Sequence, residues 1–101
     1  MRSIHSVIRD LTGNEPNGVT GTGQSNPVDT SRPGATGVVS VRIENTATVT
    51  LQGRATPHDD WKSIETVTES TAFRVALLPQ MRIDYDVSSG AVHAWLMESG
   101  G

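Results

Sequence analysis

The sequence predicts an all-β chain: an antiparallel β-sandwich, Ig-like or jelly-roll-like, preceded by an extended N-terminal arm rich in Gly, Pro and Asn. Three observations point there. Between residues 38 and 97, apolar and polar residues alternate in short runs, the period-2 pattern of strands with one buried face. Turn-forming residues separate these runs at roughly ten-residue spacing, as sandwiches and barrels require. No segment carries an amphipathic helical pattern, and no solenoid-type repeat is present.

In chain order, residues 1–37 are expected to form an arm and loop, and residues 38–101 the sandwich. The first part is dense in Gly, Asn, Thr, Ser and Pro, above all from Gly13 to Pro27. Such a segment buries too little surface to offset its own conformational entropy. Ile4, Val7 and Ile8 can supply one short strand, and Val28 another extended piece. The expectation is that deleting residues 1–36 leaves the sandwich folded and weakens assembly with a neighbour.

Val39, Val41 and Ile43 alternate with Ser40 and Arg42, then Ala47, Val49 and Leu51 with Thr46, Thr48 and Thr50. Glu44-Asn45 between them suits a tight hairpin. Thr56-Pro57-His58-Asp59-Asp60 is a loop. Trp61, Ile64 and Val67 mark an extended piece whose imperfect alternation signals a bulge. Phe73, Val75 and Leu77 alternate cleanly, and Pro79 rules out a helix over 72–81. Met81, Ile83, Tyr85 and Val87 form the next strand. Ser88-Ser89-Gly90 is expected to turn the chain into a last strand over 91–97.

The chain has 101 residues, a formal net charge of −3, no cysteine and four aromatics, Trp61, Phe73, Tyr85 and Trp95. That is one domain with a thin core of Val, Ile and Leu, for which self-association or a partner is an expected support. Disulfides and thiolate metal sites are excluded. The basic residues are scattered singly, so the clustered stripe of a nucleic-acid binder is missing. No run approaches the apolar length of a membrane span, and residues 1–10 lack the apolar core of a secretory signal.

Little catalytic chemistry is legible. His5, His58 and His93 stand on separate segments without metal-ligand spacing. Asp84 and Asp86 share the outward face of one strand, too few ligands for a calcium site even beside Asp59-Asp60. They are expected to pair across strands with Arg82 or Arg74. Gly18 to Gly23 resembles a phosphate loop but has no lysine and no following helix. Gly23-Gln24-Ser25-Asn26-Pro27 begins like a nucleophile elbow but has Pro27 at the second glycine. His93 and Trp95 share the face opposite Val92, Ala94 and Leu96, where a tryptophan is either a binding surface or covered by the N-terminal segment. No catalytic residue, cofactor or metal is expected.

Three stretches carry a resemblance: Ala47-Thr48-Val49-Thr50-Leu51-Gln52-Gly53-Arg54, then Pro57-His58-Asp59-Asp60-Trp61, then Leu78-Pro79-Gln80-Met81-Arg82-Ile83 leading into Ser89-Gly90-Ala91-Val92-His93-Ala94-Trp95-Leu96. Together they resemble small β-sandwich structural proteins of tailed bacteriophages, most of all capsid decoration (cement) proteins. The resemblance covers about the C-terminal 60 residues; the N-terminal segment takes no part. It implies a non-enzymatic protein, made in the host cytoplasm and seated on the capsid surface. There it would clamp neighbouring major capsid subunits, commonly as a homotrimer, without nucleic acid or membrane as partner. The alternatives are a phage neck, tail or fibre component and, from another class, a carbohydrate-binding module stacking a sugar on Trp61 or Trp95. The residues expected to touch partners are Arg2, Ile4, Val7 and Ile8 in the arm, and Arg32, His58, Asp59, Asp60 and Trp61.

Overall fold

The computed structural model describes residues 5–12, 18–30 and 34–100. It is all-β: one antiparallel open sheet of seven strands, with no helix among the described residues. The strands are β1 (His5–Asp10), β2 (Val19–Gln24), β3 (Val28–Asp29), β4 (Thr36–Arg54), β5 (Lys62–Val67), β6 (Thr71–Ala76) and β7 (Gln80–Gly100).

β4 and β7 are the spine. They pair antiparallel from Gly37 opposite Glu98 to Arg54 opposite Gln80. β6 lines the first part of β4 and β5 the second, both antiparallel to it. On the far side of β7, β1 lines its end, while β2 and β3 line its beginning. The seven strands therefore form four rows, two long and two interrupted.

The spine cannot be straight. A 21-residue strand would run about 70 Å at roughly 3.3 Å per residue, yet the longest dimension of the molecule is 44 Å. The chain path sets the direction of the bend. Ala76 sits opposite Thr36 at one end of the ladder, and Gln80 opposite Arg54 at the other. Only Leu77, Leu78 and Pro79 join them, a connection that reaches about 14 Å. The ladder thus folds back until its ends are neighbours. Thr30, Gly34 and Ala35 hydrogen-bond to the link: Thr30 donates its N–H to the Pro79 carbonyl, Gly34 to Leu77, and Leu77 to Ala35.

The bend lies where hairpins were expected. Glu44-Asn45 does not reverse the chain, and neither does Ser88-Ser89-Gly90; each sits inside a continuous strand. Asn45 (φ 76°) and Gly90 (φ 82°) are cross-strand partners, so both strands deform at one level. The turn chemistry is used to bend a pair of strands together. Between Thr46/Ser89 and Ala47/Val87 the register slips by one residue, a bulge at Ser88. A one-residue slip exchanges the faces of everything beyond it. Accordingly Met81, Ile83 and Val87 point inward before the bulge, and Val92, Ala94 and Leu96 after it. β4 has no such slip and keeps Val39, Val41, Ala47, Val49 and Leu51 in one phase. These residues, with Leu11, Val75 and Leu77, form one core cluster drawn from both halves of the spine.

Where β4 passes from β6 to β5, Ser70 fills the gap. Its Oγ accepts from the Ile43 N–H at 2.9 Å and faces the Ile43 carbonyl at 3.3 Å. The bulge expected in the Trp61–Val67 stretch is present in β5, opposite Leu51 and Gln52.

The described parts of residues 1–37 differ from the expected arm. β1, β2 and β3 are strands of the same sheet, and Leu11, 1 % exposed, belongs to the core. Their poverty in apolar residues has a physical reason. As a border row they supply backbone hydrogen bonds to β7, and few of their side chains need burial. Deleting residues 1–36 therefore strips the far edge of β7 and removes a core leucine, rather than sparing the fold.

Candidate partner-binding surface

The outward faces of the two halves carry different chemistry. On the half built from the start of β4 and the end of β7, His93, Trp95 and Met97 are half-buried and alternate with the fully buried Val92, Ala94 and Leu96. The His93 and Trp95 rings stack, 5.6 Å between centroids and 7° from parallel. Ile8, 64 % exposed, stands on β1 beside them. Ile8, Ser40, Trp95 and Met97 line an open groove of about 290 Å³. Gly18 (φ 79°) packs against His93 so closely that a Cβ there would meet the Val92 carbonyl oxygen at 2.6 Å and the His93 ring at 2.9 Å.

On the other half, the loop after β4 lays Trp61 over the sheet. The guanidinium carbons of Arg54 and Arg82 each lie 4.3 Å from the centroid of its ring. Strand register explains the meeting. Arg54 faces Gln80 and Arg82 faces Gln52, so the two arginines are diagonal neighbours on one face. Arg54 Nε donates to Gln80 Oε1 and Arg82 Nε to Gln52 Oε1, both at 2.8 Å. Burial lowers the Arg82 pKa; the Asp84 charge raises it and the neighbouring Arg54 lowers it again.

The loop itself is braced by charge. Asp59 accepts from Lys62 Nζ at 2.9 Å and from the Asp60 N–H at 2.9 Å. The lysine hydrogen bond, then the Asp60 amide, hold its carboxyl below the ordinary carboxylate value. His58 and Asp60 are exposed, and the His58 N–H donates to Thr56 Oγ1 at 3.2 Å.

Of the expected contact residues, His58, Asp59, Asp60 and Trp61 are thus gathered in one loop. Ile8 lies on the other half of the ladder, so these two groups are not brought together. Val7 lies in β1 opposite Glu98. Arg2, Ile4 and Arg32 lie outside the described residues. Residue picking by loop position missed Arg54, Arg82, Gln52 and Gln80, which the outward phase of β4 and β7 makes available. Trp95 and Met97 become visible the same way.

The acidic pair is tied differently from the expected arginine pairing. Asp84 accepts from Gln24 Nε2 at 3.0 Å and Asp86 from Thr22 Oγ1 at 3.1 Å, both across to β2. No group of three metal-ligating side chains occurs among the described residues, and no helix among them is long and apolar enough to cross a membrane. No protein family, curated protein or solved structure matches the chain.

Proposed function

We propose that this chain is a structural protein of a bacteriophage virion, a decoration (cement) protein that sits on the outer shell and clamps neighbouring major capsid subunits. In this reading the folded-back ladder is a β-sandwich, its two halves the two layers, and the chain works as a homotrimer by adhesion rather than by catalysis. One observation carries the reading. One folded-back spine carries two separate surface features: an apolar groove at Ile8, Trp95 and Met97 on one half, and the Trp61–arginine cluster on the other. A clamp needs two such surfaces on one body. Aromatic and arginine side chains are enriched at the centres of protein interfaces, and repeated modest contacts in a symmetric array multiply into firm attachment. The carbohydrate-binding alternative is less favoured at Trp61, because its ring already carries two guanidinium groups.

Copy number tests the proposal. Quantitative mass spectrometry of purified particles is expected to find this chain at hundreds of copies per capsid. Six or twelve copies would move it to the neck or tail, and absence from particles would overturn the reading.

A further inference from the structure

We propose that the Trp61–Arg54–Arg82 cluster is a recognition site for a single side-chain carboxylate of a protein partner. This deepens the adhesive reading by naming the chemistry of one of its two surfaces, but it stands on its own observations. Two guanidinium groups are held against one indole, and neither forms an ion pair among the described residues. The described ion pairs are Arg9–Glu98, Arg42–Glu44 and Lys62–Asp59. Asp84, which accepts from Gln24, acts on Arg82 through its charge but forms no ion pair with it. Like charges brought together at a half-buried site disfavour each other unless an anion joins them.

The arginines are also set in place beforehand. Each spends its Nε–H on a glutamine carbonyl oxygen and lies against the indole, which fixes side chains that otherwise lose much rotamer freedom on binding. The terminal NH₂ groups of each remain as donors. A planar fork of that kind matches a carboxylate in two-point contact, and the indole edge offers the partner's chain an apolar rest.

Among anions, a protein carboxylate fits better than a nucleic-acid backbone. Asp29 accepts from Gln80 Nε2 beside Arg54, the Asp84 charge acts on Arg82, and Asp59 and Asp60 precede Trp61 in its loop, on a chain of net charge −3. A compact anion can reach the two guanidiniums, whereas an extended run of phosphates must pass the surrounding carboxylates.

The test is a titration of the full ¹⁵N-labelled chain, at low salt, with an end-blocked glycine peptide carrying one glutamate, read on the Arg54 and Arg82 Nε–H and Trp61 indole N–H signals. These three are expected to shift together and saturate. Arg82→Gln is expected to weaken binding by about tenfold, the scale of a lost charge-assisted contact. Added salt is expected to weaken it further. Arg82→Lys, which keeps the charge without the fork, serves if the glutamine variant fails to fold, and is expected to fall between. Four results would overturn the proposal: no shift at these groups; equal affinity in the arginine variants; equal or tighter binding of inorganic phosphate or oligothymidylate; or dimerisation of the free chain that Arg82→Gln abolishes, which would make a second copy the occupant. None of these touches the copy-number test.

Discussion

Gly90→Ala is expected to destabilise the protein by more than about 3 kcal/mol, enough to unfold a domain of ordinary marginal stability. Two costs combine. Gly90 has φ 82°, a conformation that disfavours any Cβ. A Cβ built there would also run into the Glu44 carbonyl oxygen. That oxygen belongs to the partner strand at the bend, so it cannot yield without moving β4. Asn45, directly opposite, is the control. Its φ of 76° suits Asn or Gly, and Asn45→Gly is expected to change stability by less than about 1 kcal/mol. Urea unfolding followed by circular dichroism measures both. Near-equal stability of Gly90→Ala and the parent would contradict the bend.

Arg9→Leu is the second large effect, with an expected loss of about 2–4 kcal/mol. Glu98 is 2 % exposed, yet it faces inward with Val92, Ala94 and Leu96. Arg9 Nε donates to its Oε2 at 2.7 Å, from β1 to β7. A buried carboxylate tolerates its loss of water only with such support. Removing the arginine withdraws that support while the carboxylate stays buried. The double variant Arg9→Leu/Glu98→Leu is expected to recover much of the loss, because both charges are then gone. A double variant no more stable than the single one would show that the pair is not the source of the effect.

The alternation of Val39–Val41, Ala47–Leu51, Phe73–Leu77 and Met81–Val87 was legible because each strand has one buried face, and burial imposes period 2. The connectivity was not. Asn45 and Gly90 have the chemistry of turn residues and the backbone angles to match, but nothing local states that they will sit opposite each other. Only pairing across the ladder turns two apparent chain reversals into one shared bend. The strands β1, β2 and β3 were hard to read for a related reason. A border strand such as Val19–Gln24 contributes amide and carbonyl groups to β7, and its side chains carry almost no hydrophobic signature. At the candidate surface, Trp61 stood out by residue type alone. Arg54 and Arg82 did not, because their meeting depends on a diagonal register between strands that are distant in sequence.

The proposed clamp is tested by electron cryomicroscopy of phage particles purified with the chain bound. The expected reconstruction shows a two-layered body on the outer shell, with the Ile8–Trp95–Met97 groove against one neighbour and the Trp61–Arg54–Arg82 cluster against another. A chain found off the shell, or touching its neighbours with both of these surfaces facing solvent, would contradict it.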